Sequence, residues 1–213
     1  MAKRYDQYCP VAHALELVGE RWSLLIVREL LTGPKRYTDL AGALPHIGTN
    51  VLAARLKELE RCGIVGKRRL PPPTPAQVYE LTPYGVALKP VMRELALWGI
   101  RSLGAPQEDD ELAPGWLESA LDTVFAPVAP PGSLEFRVGG EVASIVDGEA
   151  RHGPAEQPDV VLEADTDVFY YLFVERRWDG VTVDGDRSLL ERLLEAAAPP
   201  ADAPDPAEPA MTS

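Results

Sequence analysis

Glycine and proline cut the segment from Pro10 to Leu103 into short pieces, and the order of those pieces admits few folds. Pro10 to Val18 places Val11, Ala14, Leu15 and Val18 at helical spacing and is closed by Gly19. Trp22 to Leu31 is strongly apolar, stops at Gly33-Pro34, and reads as the buried helix of the domain. Tyr37 to Leu44 is a short helix ended by Pro45. Thr49 to Arg61 is a further helix, with Thr49 placed to cap its start and Cys62-Gly63 to stop it. Ile64 to Leu70 and Gln77 to Leu81 are β-leaning runs joined by the proline-rich turn from Pro71 to Ala76, a hairpin signature. Thr82-Pro83, a capping residue before a first-turn proline, opens a long helix to about Leu103.

Helix, helix, helix-turn-helix, hairpin, helix is the order of a winged helix-turn-helix. Such a fold lays the second helix of its helix-turn-helix in the major groove of double-stranded DNA and holds phosphates with basic groups nearby. On the helix from Thr49, the spacing predicts that Leu52, Leu56 and Leu59 pack on Leu25, Leu30 and Leu40. Asn50, Ala53, Ala54, Lys57 and Arg61 then face outward. Asn and Lys can hydrogen-bond base edges and Ala can touch a thymine methyl, so this face has readout chemistry. Arg55 lies on the flank, within reach of a phosphate or of Glu58 or Glu60. Lys67, Arg68 and Arg69 sit where a wing meets the minor groove or the backbone, and Lys35 and Arg36 precede the third helix as phosphate contacts. Surface Lys and Arg are most often merely solvated; the clustering of these around one helix and one hairpin favours contact with DNA.

Charge divides the chain in the same way. Residues 1–104 hold 15 Lys and Arg against 9 Asp and Glu, a net of +6, which leaves 6 against 24, a net of −18, for the remainder of the 213 residues. A basic module suits a polyanion and an acidic one repels it, so two modules with different partners are expected. The boundaries fall at a winged helix-turn-helix domain over 1–104, an acidic linker over 105–111, a second domain over 112–197 and an Ala/Pro/acidic tail over 198–213 that cannot bury enough surface to fold. No run approaches the ~18–20 apolar residues of a membrane span, and the N-terminus lacks the apolar stretch of a secretory signal. Two cysteines are too few for a disulfide framework or a protein-only zinc site. The expectation is a cytoplasmic protein with no metal, no cofactor and no membrane partner.

In the second half, Trp116 to Val128 is amphipathic, and Ser133–Val138 and Glu141–Val146 alternate as strands about a Gly139-Gly140 turn. Ala150 to His152 and Asp159 to Ala164 read as further strands. Thr166 is placed to cap a helix to Glu175, Val181 to Val183 is a short strand, and Ser188 with Glu191 has the spacing of a capping box for a last helix. The fold class expected for the whole is α+β, with the winged domain followed by an α+β layer.

Two resemblances follow from motifs. Cys9-Pro10-Val11, Gly19-Glu20-Arg21-Trp22, Leu25-Ile26-Val27-Arg28-Glu29-Leu30, Arg55-Leu56, Gly63-Ile64-Val65 and Tyr79-Glu80-Leu81-Thr82, in that order, resemble the HxlR family of MarR-like bacterial transcription regulators. The likeness covers Cys9 to Leu103 and implies a homodimer formed through the first and last helices on a pseudo-palindromic operator. The apolar content of the long helix (Val86, Leu88, Val91, Met92, Leu95, Leu97, Trp98, Ile100 and Leu103) agrees with an interface, although a second domain could cover it instead. Pro158-Asp159-Val160, Ala164-Asp165 and Val183-Asp184-Gly185-Asp186 make the C-terminal domain resemble the sterol-carrier-protein fold, which implies a tunnel for apolar molecules. By that resemblance Trp116, Phe125, Phe136, Phe169, Phe173 and Trp178 are candidate pocket walls; each also reads as plain core.

Cys9 precedes a helix start, where a thiolate is favoured, and occupies the position of a sensing cysteine in some HxlR-type proteins; the alternative is an inert packing thiol. Cys62, at a helix C-terminus, reads as structural. His13, His46 and His152 are isolated, and no nucleophile elbow or phosphate loop is present, so no enzyme is expected. The sequence thus points to a DNA-binding regulator, a repressor, that answers an apolar effector. A redox switch at Cys9 and a lipid carrier with a winged dimerisation module remain as alternatives.

Overall fold

The structure, a computed structural model, describes residues 5–71, 76–106, 110, 112 and 114–199. The tip of the expected wing turn (72–75), most of the acidic linker (107–109 and 111) and the tail from 200 onward lie outside the described residues. The chain divides into two compact units, Met1–Met92 and Arg93–Ser213, so the last long helix begins in one and continues in the other.

In the first unit, α1 (Pro10–Val18), α2 (Ser23–Leu31), α3 (Tyr37–Ala43) and α4 (Thr49–Arg61) precede the hairpin β1 (Val65–Arg69) and β2 (Gln77–Leu81). The strands are antiparallel, with Val65 opposite Leu81 and Arg69 opposite Gln77. Ile26, Val27 and Leu30 from α2 meet Leu40 from α3 and Leu52, Leu56 and Leu59 from α4 in one buried cluster. Burial of a leucine side chain is worth roughly 2 kcal/mol, so these three leucines dominate what holds α4 in place. Leu25, expected among their partners, is 37% exposed and lies outside the cluster. It is one residue out of phase with Ile26 and Leu30, and a 100° step turns it away.

Thr49 does not cap α4. The cap is Gly48, without a side-chain bond, and Thr49 is the first helical residue; its carbonyl instead accepts from the Tyr37 hydroxyl at 2.8 Å, tying α3 to the start of α4. Thr82 does cap the next helix, accepting from the Gly85 N–H at 3.1 Å while its hydroxyl donates to the Gly63 carbonyl at 2.6 Å. The expected long helix is broken into α5 (Pro83–Val86) and α6 (Lys89–Leu103). Pro90 supplies the reason: it has no N–H and its ring crowds the carbonyl four residues back, that of Val86. Along α6 the apolar residues separate into two sets. Met92 belongs to the first unit's core and Leu97 to the second unit's, whereas Val91, Leu95, Trp98 and Leu103 are exposed.

In the second unit, α7 (Trp116–Ala120) runs into a π-type turn at Leu121–Phe125 and a 3-10 turn at Ala126–Val128. Pro127, crowding the carbonyl of Thr123, accounts for the loosening. The sheet order is β5-β4-β3-β6-β7, with β3 (Ser133–Val138), β4 (Glu141–Val146), β5 (Glu149–His152), β6 (Val160–Ala164) and β7 (Thr182–Gly185). The pair β3–β6 is parallel and the others are antiparallel. Gly139 and Gly140 both take positive φ, 57° and 83°, which a two-residue hairpin turn with mirror-image twist demands.

Helices α8 (Thr166–Glu175) and α9 (Arg187–Ala196) complete the unit. Their caps differ from expectation. Asp165 holds the cap position of α8, leaving Thr166 as its first residue. Asp186 caps α9, its carboxylate accepting from the Ser188 N–H at 3.0 Å. Glu191 pairs instead with Arg187 at 3.0 Å. In both cases an Asp just upstream of the expected Ser or Thr takes the cap position, which extends α8 by one residue and α9 by two. No described helix is long and apolar enough to cross a membrane.

Candidate nucleic-acid interface

Helix α4 buries Leu52, Leu56 and Leu59 at no more than 1% exposure and leaves Thr49, Asn50, Ala53, Ala54, Lys57 and Arg61 exposed. Its outward face is therefore polar at the edges and small in the middle, a shape that admits close approach of a base-pair edge. The segment leading into α3 is drawn against the hairpin: Lys35 and Tyr79 exchange both backbone hydrogen bonds, at 3.0 and 2.8 Å. This bridge fixes the wing beside the helix-turn-helix within one unit.

The cations of this surface fall into two groups. Lys67 Nζ lies 2.7 Å from Glu60 Oε2 and 5.3 Å from the centroid of the Tyr79 ring. Arg68 Nε is 2.8 Å from Glu80 Oε2, and Arg55 is 3.5 Å from Glu20. Arg61 pairs with Glu58 at 2.7 Å, and Lys35 Nζ stands 4.0 Å from Glu29. Arg36, Lys57 and Arg69 have no ion-pair partner among the described residues. Donating a hydrogen bond to Glu60 raises the pKa of Lys67, and accepting one from Arg61 lowers the pKa of Glu58.

Sequence reasoning named the cations and missed most of the carboxylates that hold them. The partner of Arg55 is Glu20, from the turn before α2, rather than Glu58 or Glu60. The signal for Arg68 was present: Glu80 is two residues beyond Val78, its direct cross-strand partner, and so is its diagonal neighbour. The pairing of Lys67 with Glu60 needs the strand to fold back along α4, which no local pattern announces.

Elsewhere, Cys9 is the half-buried N-cap residue of α1, its carbonyl accepting from the His13 N–H at 2.9 Å. Burial pushes the Cys62 thiol pKa up. Among the described residues no group of three or more His, Cys, Asp or Glu could hold a metal ion. Of the candidate pocket walls, Phe125, Phe136, Phe169 and Phe173 are buried, with ring centroids 4.8 to 6.2 Å apart where they meet. Trp116 packs at the margin of that core. Trp178 borders an open cleft of about 330 Å³ with Arg176, Glu191, Leu194, Glu195 and Ala198.

Comparison with known proteins bears on the first unit. Residues 17–107 match the model of the HxlR-like helix-turn-helix family. The chain is 42% identical over 95 residues to the uncharacterized HTH-type transcriptional regulator YvaP of Bacillus subtilis, covering 44% of this chain and 87% of YvaP. It is 44% identical over 92 residues to the HTH-type transcriptional regulator YodB of the same organism, covering 42% of this chain and 81% of YodB. The solved reduced form of YodB aligns at 38% identity, over 45% of this chain and 94% of that one, with a TM-score of 0.40. The order of elements, the exposed face of α4 and relatives spanned over most of their length agree, and the chain belongs to the HxlR-like helix-turn-helix family of transcription regulators.

Proposed function

We propose that the chain is a repressor that binds an operator in double-stranded DNA as a homodimer and releases it when an apolar small molecule occupies the second unit. The observation that carries the DNA-binding reading is α4, which buries its leucine face and presents Asn50, Ala53, Ala54 and Lys57 outward. Arg36 and Arg69, without an ion-pair partner among the described residues, flank that helix in the chain and hold phosphate oxygens. Dimerisation is supported by apolar side chains left exposed on the helices bounding the winged domain: Val11 and Leu15 on α1, Val91 and Leu95 on α6.

The sterol-carrier-like reading of the second unit is supported by helices packed on one face of a five-stranded sheet. The phenylalanine rings fill the space where a tunnel would run, so an effector enters beside Trp178 or by parting those rings. The role is that of a binding protein rather than an enzyme.

The test is fluorescence anisotropy against the DNA just upstream of the protein's own gene, beside a scrambled duplex and across a salt series. The expected result is tight, sequence-dependent binding with a steep salt slope. Lys57→Ala should weaken the upstream duplex more than the scrambled one. Equal, weak binding of both duplexes would move the carrier reading ahead.

A further inference from the structure

The wing carries the cations that should grip DNA most strongly, yet the fold neutralises two of the three before any DNA arrives. Lys67 is hydrogen-bonded to Glu60 at 2.7 Å and Arg68 to Glu80 at 2.8 Å. Both carboxylates are held in place by regular structure, Glu60 on α4 and Glu80 on β2, while Arg69 at the end of β1 has no ion-pair partner among the described residues. All four paired side chains are partly exposed, with 40% and 24% for Lys67 and Glu60 and 47% and 33% for Arg68 and Glu80, so water and phosphate can reach them.

We propose that Glu60 and Glu80 are positioning residues that suppress non-specific DNA binding, by holding Lys67 and Arg68 in ion pairs that only a well-placed phosphate displaces. The proposal rests on the DNA-binding reading above. Its physical basis is that binding to arbitrary DNA is almost wholly electrostatic, whereas an operator adds base contacts from the α4 face. A carboxylate beside a cation lowers the electrostatic part for every sequence and leaves the base contacts untouched. Arbitrary DNA, which has no other source of affinity, is thereby held too weakly to occupy the protein, whereas an operator keeps its base contacts.

The size of the effect follows from the geometry. A phosphate oxygen seated on Lys67 or Arg68 opposite the glutamate stands about 6 Å from it, and two unit charges at that separation in water repel enough to change affinity about threefold. The exposure of these pairs argues for the aqueous dielectric rather than a lower one.

The experiment uses the full chain, with Glu60→Gln, Glu80→Gln and the double variant titrated by anisotropy against a random-sequence 30-base-pair duplex from low to moderate salt. Gln keeps the shape and the hydrogen bond and removes the charge. The expected outcome is about threefold tighter binding for each single variant and about tenfold for the double. The plot of log affinity against log salt should steepen by up to about 0.9 for each cation freed. Glu60→Asp and Glu80→Asp, which keep the charge, should stay near the parent. A merely structural role would move the unfolding midpoint and leave the salt slope alone. Unchanged affinity and slope in both Gln variants, with the parent binding normally, would overturn the proposal. No binding of the parent to any duplex would instead overturn the DNA-binding reading, and this proposal with it.

Discussion

Gly85 sits where α5 is laid against the start of the wing, and a methyl group there has no room. A Cβ built on Gly85 would lie 2.2 Å from the Ile64 carbonyl oxygen and 3.1 Å from Leu81 Cδ2. Carbon and oxygen normally approach to about 3.3 Å, so Gly85→Ala forces the Ile64 carbonyl and the first turn of α5 apart by about 1 Å. That carbonyl accepts from the Thr82 N–H at 3.0 Å, the bond that joins β2 and α5 to the end of α4. Overpacking costs about 1–3 kcal/mol, and the strained hydrogen bond adds about 1 kcal/mol. The expected loss is about 3 kcal/mol, a large share of the roughly 5–15 kcal/mol that holds a domain folded. Gly42 is the control: it lies inside α3 with nothing within 4 Å of its would-be Cβ, so Gly42→Ala should stabilise by about 0.5–1 kcal/mol. Hydrogen exchange of the α4 amides reports on the first unit alone, and their protection should fall in the first variant and rise in the second. Parental protection in Gly85→Ala would refute the argument from close approach.

Other consequences are open to direct measurement. Phe136, 1% exposed and in edge contact with Phe169, should cost about 3–5 kcal/mol on Phe136→Ala, read as early unfolding of β3 and β4 amides; a loss below 1 kcal/mol would mean that the ring lines an open tunnel. Glu58 has its pKa lowered by Arg61 from the ordinary 4.5, so its pair contributes stability above that value and loses it as the pH falls through the lower folded value. Glu58→Gln should therefore melt slightly below the parent at pH 7, by a gap that narrows as the pH falls below 4.5; a gap that widens in acid would contradict the sign. Cys9→Ser should leave release of DNA by an apolar ligand intact, and abolition of DNA release by a thiol oxidant in that variant would instead favour the redox switch.

Most of the fold was legible where a local rule has no rival. The Gly139-Gly140 turn and the leucine stripe of α4 each follow from chain geometry and a single buried face. The caps were harder to read, because Gly48, Asp165 and Asp186 compete with Thr49, Thr166 and Ser188 for the same role one or two residues apart. Pro90 was visible, yet its power to split α5 from α6 was masked by the apolar run on both sides.

The sequence by itself determined that this chain is a basic winged helix-turn-helix followed by an acidic α+β domain, and which face of α4 turns outward. Those follow from period, punctuation and charge, all of which are local. Tertiary structure decided which cations are free and which are held. The partners of Arg55, Lys67 and Arg68 come from the turn before α2, from α4 and from β2, and only folding brings their carboxylates within hydrogen-bond reach.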